Sequence, residues 1–380
     1  MSFSQLNLSQ ALLEAIAEQN YTEPYPIQTM AIPPILEGKD LLAIAQTGSG
    51  KTASYVLPIL QLFREKKTSK NRHVKVLVLV PTRELAMQVA EVFQTLGSKL
   101  PKRLKTIAVY GGVSINPQMI ALQNVDILVA TPGRLLDLLD SRSVFLTDVE
   151  LLVLDEADKM LSLGFKEEIE SVFYLLPKKR QNLLFSATLN DNVEGLNSFI
   201  LRNPVKIEVK EDEKNIDLIK QLAYRVEDDK KGVLLRYLIK HFEMKQVLVF
   251  TSSTKRADNV VVKLNKNGID AAALHSKKSQ GARTEALKKF KEGKLRVLVA
   301  TDLASRGIDI QYLPHVINYE LPRSPTDYVH RIGRTGRAES SGEAISLIAP
   351  DDEHHFKVIQ KKMGKKVEMI DSGEFNMQGY

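Results

Sequence analysis

Short apolar runs recur at 41–45, 75–80, 107–110, 126–130, 151–154 and 183–185, with helical patterns between them. Strands alternating with helices at this spacing form a mostly parallel sheet with helices on both faces, an α/β architecture. Ligands of such sheets bind beyond the carboxyl ends of the strands, so the residues that follow each run matter most. The first run leads into Gln46-Thr47-Gly48-Ser49-Gly50-Lys51-Thr52. The others lead into Pro81-Thr82-Arg83, Gly111-Gly112, Thr131-Pro132-Gly133-Arg134, Asp155-Glu156-Ala157-Asp158 and Ser186-Ala187-Thr188. Small, hydroxylated or charged groups at every strand end are not what packing alone requires.

The turn from Ala45 to Thr52 has the makings of a phosphate cradle. Backbone N–H groups around Gly48 and Gly50 can converge on one anion, and the helix beginning near Lys51 adds its positive end. Lys51 then supplies an ammonium to the outer phosphates, and the Thr52 hydroxyl is placed to ligate Mg²⁺. Ala45 stands where the usual pattern has its first glycine. A glycine-rich turn with an exposed lysine is the structural alternative. Asp155-Glu156 ends an all-apolar run, where Asp155 can hold Mg²⁺, partly through water, and Glu156 can orient or deprotonate an attacking water. The alternative is a helix N-cap. Upstream, two prolines in Pro24-Tyr25-Pro26-Ile27-Gln28 fix the direction of Gln28, whose amide could pair with an adenine edge.

At 380 residues the chain points to two domains. Polar residues from about 203 to 221 mark a linker, with 205–209 a last strand before it. A second alternation follows at 222–226, 247–250, 271–274, 296–300, 316–319 and 344–348, without a second phosphate turn. Its polar content is cationic: Arg331, Arg334 and Arg337 recur at spacing three. On a helix these three share one face, which calls for an opposing anion unless the face is simply solvated. Beyond 350 the sequence reads as a lysine-rich helix and a short tail.

The chain has no cysteine, which excludes disulfides and thiolate metal sites. Residues 1–5 have neither the charge nor the apolar stretch of a signal peptide, and no apolar run approaches the length of a span. A cytoplasmic protein without a membrane association is expected. The net charge of +7 favours a polyanionic partner.

In their order along the chain, these motifs resemble those of the DEAD-box ATP-dependent RNA helicases, most closely the bacterial RhlE-like group. The resemblance rests on PYPIQ (24–28), AQTGSGKT (45–52), PTRELA (81–86), GG (111–112), TPGR (131–134), DEAD (155–158), SAT (186–188), ATDLASRGID (300–309) and HRIGRTGR (330–337). It implies two tandem RecA-like domains: residues 1–208 for ATP, a linker at 209–220, and 221–380 for the second domain with its short tail. It implies ATP and Mg²⁺ as cofactors and RNA as partner, bound through its backbone. Ribosomal or RNA-decay complexes are the expected setting, and a monomer the expected state.

The resemblance also implies residue roles. Lys51, Glu156, Arg334 and Arg337 would be catalytic, the two arginines as arginine fingers. Tyr21, Gln28, Ala45, Gln46, Thr47, Gly48, Ser49, Gly50, Lys51, Thr52 and Asp309 would bind ATP. Ser186 and Thr188 would couple the phosphate and RNA sites. Arg83, Gly112, Thr131, Arg134, Gln280, Arg283 and Thr301 would hold RNA, and Thr52 and Asp155 would hold the metal. Tyr21 replaces the commoner phenylalanine and keeps the ring. Lys277 replaces a frequent aspartate, and no role is carried over to it. A small-molecule P-loop kinase, a non-enzymatic RNA clamp and a DNA-directed motor share parts of this set; the kinase leaves the arginine-bearing second domain unexplained, and the clamp has no use for a hydrolytic carboxylate.

Overall fold

The six apolar runs of the first half and the segment at 205–209 become seven strands: β1 (Leu41–Ile44), β2 (Val76–Leu79), β3 (Thr106–Val109), β4 (Ile127–Ala130), β5 (Leu151–Leu154), β6 (Gln181–Ser186) and β7 (Val205–Glu208). Successive side chains of a strand face opposite ways, and in the central strands β2, β4 and β5 both faces are buried. Val76, Val78, Ile127, Val129, Leu151 and Val153 enter one core. Their neighbours Leu77, Leu79, Leu128, Ala130, Leu152 and Leu154 enter the other. That is why these segments read as unbroken apolar runs and not as alternation. The strands form one parallel sheet in the order β3-β4-β2-β5-β6-β1-β7.

The computed structural model describes residues 2–46, 48–67, 70–209, 219–302, 313–335 and 342–380, with the backbone alone at residue 198. Two compact units divide the chain, Met1–Glu211 and Asp212–Tyr380. The second unit contains β8 (Lys220–Arg225), β9 (Val247–Thr251), β10 (Ala271–Leu274), β11 (Val297–Thr301), β12 (His315–Asn318), β13 (Glu343–Ile348) and β14 (Glu368–Asp371). These too are parallel, in the order β10-β11-β9-β12-β13-β8-β14. Matching the seven strands of each unit in sequence order gives the same topology twice. Among the described residues, no helix is long and apolar enough to cross a membrane.

The C-terminal region departs from expectation. Its helix is present (Glu353–Met363), but the tail is a structural element and not an appendage. β14 extends the sheet beside β8. Phe375 and Tyr380 then pack on Tyr237, with ring centroids 5.3 and 5.1 Å away. A four-residue edge strand with one half-buried side chain leaves almost no periodic signal, which is why the sequence reads as a tail.

Candidate active site

Because every strand of the first sheet runs the same way, all the motif residues reach one edge. The strand order then sorts them. Gly111-Gly112, Thr131-Arg134 and Pro81-Arg83 follow the adjacent strands β3, β4 and β2, whereas DEAD, SAT and the phosphate turn follow β5, β6 and β1. The edge thus has two halves, with Asp155 at their junction. One strand, β6, separates β5 from β1, which sets the acidic pair about 10 Å across from the phosphate turn.

Gly48 and Gly50 adopt φ of +89° and +87°, which only glycine takes up without strain. A Cβ on Gly50 would also lie 2.6 Å from Gln28 Nε2 and 2.9 Å from the Tyr25 ring. Ala45 has no positive φ and donates its N–H to Ser186 O at 3.0 Å, so this backbone has no need of glycine there. Lys51 opens the helix Lys51–Phe63 and is 6% exposed; its Nζ donates to Ala45 O at 2.7 Å, across the turn. Ser49 closes on Gln46 through its hydroxyl at 2.8 Å. Gln28 is buried against this turn: Tyr25 N donates to its Oε1 at 3.0 Å, and its Nε2 donates to Gly50 O at 3.2 Å. One lone pair and one hydrogen of the amide are left for a base edge. Tyr21 lies in the same proline-bearing segment, 41% exposed.

The acidic pair is buried beside Lys51. Asp155 Oδ2 accepts from Tyr55 Oη at 2.9 Å, and Oδ1 accepts from Glu156 N at 2.9 Å. Tyr55 lies one helical turn after Lys51, on the same helix face, and Thr52 also acts on its hydroxyl. Burial pushes the Asp155 carboxyl up to about 6, against the pull of Lys51. Burial likewise lowers the Lys51 ammonium, with Asp155 and Glu156 opposing. Glu156 sits in the left-handed region (φ 54°, ψ 48°), a conformation that costs a non-glycine residue on the order of 1–3 kcal/mol and gathers at functional sites. Its Oε1 accepts from Lys159 Nζ at 2.7 Å, while Oε2 is buried with no hydrogen-bond partner among the described residues. The Asp155 carboxyl, raised by burial, and the Thr52 hydroxyl form a donor set that fits a hydrated divalent cation held partly through water, and the open oxygen of Glu156 is left free of it.

Asp158 joins this cluster to the SAT segment. Its Oδ2 accepts from Thr188 Oγ1 at 3.2 Å, and Ser186 Oγ donates to Thr188 O at 2.7 Å. Sequence reasoning gave roles to Ser186 and Thr188 but none to Asp158, Tyr55 or Lys159. The spacing of Tyr55 from Lys51 was the one available signal.

On the other half of the edge, Gly112 (φ +75°) lies under Arg83, and a Cβ there would be 2.2 Å from its Nη1. Arg134 donates to the carbonyl of Val113 at 2.9 Å and to Asp137 at 3.2 Å, so it braces the same glycine loop. Thr131 occupies the N-cap position of the helix Pro132–Asp140 without spending its hydroxyl on a cap hydrogen bond. In the second unit, Thr301 ends β11, and Gln280 and Arg283 belong to the helix Gln280–Lys291 after β10. These strands are the topological counterparts of β4 and β3. The proposed RNA residues of the two units therefore occupy equivalent parts of equivalent sheets.

The arginine series departs from expectation. Gly333 ends the helix at Ile332, so Arg334 lies beyond it and the helical face does not form. Arg331 is a structural brace: it grips Asp302 with Nε at 2.5 Å and Nη2 at 2.7 Å, reaches Asn318 at 3.0 Å and lies over the Phe250 ring. Arg334 is 8% exposed. Thr47, Asp309 and Arg337 lie outside the described residues.

Two parallel sheets of one topology, one of them bearing a phosphate loop and an acidic pair, define an ATPase of tandem RecA-like domains. Residues 25–196 match the DEAD/DEAH box helicase family, and residues 229–339 the helicase conserved C-terminal domain. The DEAD-box ATP-dependent RNA helicase CshA of Bacillus subtilis (strain 168) is 39% identical over 371 residues, covering 97% of this chain and 74% of that protein. The ATP-dependent RNA helicase CshA of Limosilactobacillus reuteri is 40% identical over 362 residues, 95% of this chain and 72% of that protein. S. cerevisiae Dbp5 bound to RNA and ADP BeF3 is similar with a TM-score of 0.86 and 32% identity, covering 97% and 95% of the two chains. This chain belongs to the DEAD-box ATP-dependent RNA helicases. Both bacterial relatives bear a different subgroup name, CshA, from the RhlE-like group compared above.

The state of Asp155 makes a prediction. Its folded pKa, about 6, is above that of an unfolded aspartate, so ionising it opposes folding. Its stabilising effect is full below about pH 4 and is lost as pH rises through about 6, a change worth about 3 kcal/mol. In chelator without nucleotide, the native protein should therefore lose about 2 kcal/mol relative to Asp155→Asn between about pH 4 and 7, read by urea unfolding. Parallel pH curves for the two proteins would show that Asp155 titrates normally.

Proposed function

We propose that this protein hydrolyses ATP in response to RNA and uses the cycle for local, non-processive opening of short duplexes or remodelling of ribonucleoprotein. The observation that carries this reading is the convergence of Lys51, Asp155 and Glu156 in one buried cluster, next to a sheet edge lined by Arg83, Gly112, Thr131 and Arg134. Lys51 and the N–H groups from Gly48 to Thr52 bind the phosphates. Gln28 reads adenine, Tyr21 packs on the base, and Asp309 contacts the ribose. Thr52 and Asp155, the latter through water, would hold Mg²⁺, which when bound neutralises phosphate charge. Glu156 orients the attacking water with its open Oε2 and takes up its proton. Arg334 and Arg337 supply guanidinium charge to the γ-phosphate as arginine fingers, so hydrolysis requires both units.

Ser186 and Thr188 link this chemistry to RNA, because Thr188 is tied to Asp158 while β6 stands between the phosphate turn and β5. Gln280, Arg283 and Thr301 hold RNA in the second unit. Contacts to backbone and 2′-hydroxyls make recognition largely independent of sequence. By linkage, RNA raises ATP affinity by the factor by which ATP raises RNA affinity. A cytoplasmic monomer acting in ribosomal or RNA-decay complexes is the setting we infer.

Glu156→Gln should lower RNA-stimulated ATP turnover by about 10² or more while ATP-dependent RNA binding persists. Retained turnover would remove Glu156 from the mechanism. Arg334→Ala should depress kcat by on the order of 10³ with nucleotide affinity little changed; parallel losses of both would argue against a finger. Gly112→Val should displace the Arg83 guanidinium and weaken RNA binding with a shallower salt dependence, by about 0.7 in the log-log slope for each phosphate that the protein no longer neutralises. A native slope in that variant would place Arg83 away from RNA.

A further inference from the structure

Glu156 and Lys159 form an ion pair of an unusual kind. Lys159 Nζ lies 2.7 Å from Glu156 Oε1, and both side chains are less than a tenth exposed. An exposed pair three residues apart on a helix is nearly neutral energetically and is common. A buried one is not, because desolvating two charges opposes their attraction and an apolar pair would commonly serve folding as well or better. The helix concerned, Ala157–Ser162, is only six residues long. Fold stability alone therefore does not account for the pair.

Two further observations set its direction. Lys159 occupies one oxygen of Glu156 and leaves the other, Oε2, buried and without a partner among the described residues, a state that native structures seldom tolerate without reason. Lys159 also lies within electrostatic reach of the phosphate lysine: burial is the main cause lowering the Lys51 pKa, and the Lys159 ammonium adds to it. Glu156 itself is held in left-handed backbone, a conformation that gathers at functional sites.

We propose that Lys159 is a positioning residue for ATP hydrolysis: by gripping Oε1 of Glu156 it turns Oε2 toward the attacking water. The inference rests on the reading of Glu156 as the group that orients that water. Lys159 does not touch substrate in this scheme. Its effect passes through one carboxylate.

The test measures kcat, nucleotide affinity and ATP-dependent RNA binding for Lys159→Met, Lys159→Arg and Lys159→Gln in the full chain, alone and combined with Glu156→Gln. Lys159→Met should lower kcat by on the order of 10-fold to 100-fold, the usual effect of a misplaced catalytic group, with nucleotide affinity within about threefold of native. Lys159→Arg, which keeps the charge and the donor, should recover most of the rate. In the Glu156→Gln background, Lys159→Met should have no further effect on residual turnover. A native or raised kcat in folded Lys159→Met would overturn the proposal, and so would an equal loss of rate and nucleotide affinity. If Lys159→Met fails to fold, the contrast between Arg and Gln decides, since equal rates in those two would remove any need for the charge. Loss of turnover in Glu156→Gln alongside a native rate in Lys159→Met would sink this inference while leaving the assignment of Glu156 intact.

Discussion

Two buried groups of opposite charge type, within electrostatic reach of each other, govern this structure. Lys51 and Asp155 are 6% and 2% exposed, and burial disfavours the ionised form of each. Each is the main counter-charge of the other, and neither is easily kept ionised alone. The arrangement exists because β1 and β5 run parallel with a single strand between them, so the residues that follow them emerge on the same edge. Tyr55 completes the link, since the helix that starts at Lys51 returns its hydroxyl to Asp155. A cluster under this tension would be relieved by a phosphate chain and a cation, because both supply the counter-charges that the protein interior lacks.

The second unit shows the same frame put to another use. The helix Lys231–His241 follows β8 as the helix Lys51–Phe63 follows β1, and each begins with a buried lysine. Around Lys231, however, the preceding turn is Glu227-Asp228-Asp229-Lys230, with no glycine to open a cradle. Lys231 Nζ is instead 3.5 Å from Asp228 and 3.3 Å from Asp352. Arg256 joins Asp228 to Glu320, at 2.6 and 3.1 Å. The lysine is neutralised from within, and a phosphate would have to displace carboxylates to reach it. One topology thus holds a lysine beside a glycine turn in the first unit and a lysine already paired with carboxylates in the second.

Most of this was legible in the sequence. Thirteen of the fourteen strands were visible, most of them as apolar runs because a strand buried on both faces has to be apolar throughout. Motifs at strand ends were visible because glycine at positive φ and paired carboxylates have few other uses in such places. Three features were not visible, each for a physical reason. β14 is a half-exposed edge strand and lacks the apolar period. Arg331 reads as a member of a cationic series until Asp302 and Phe250, remote in sequence, are brought to it. Lys159 looks like any lysine after an acidic motif, because burial of both partners in an ion pair is a tertiary property.

The division of labour between the two sheets follows from what each ligand requires. A nucleotide needs a deep cradle of backbone N–H groups and a counter-charged acidic pair, which one unit can supply completely. A single strand of RNA is extended, and its phosphates repeat, so holding it calls for similar shallow contacts at successive positions. On the reading proposed above, equivalent strand ends in duplicated sheets would provide such contacts: Gly112 and Thr131 follow β3 and β4, and Gln280 and Thr301 follow or end the matching β10 and β11. Duplication therefore suits the RNA-facing half of the edge in both units. A second phosphate cradle has no such use, and in the second unit the chain has filled the lysine's surroundings with its own carboxylates.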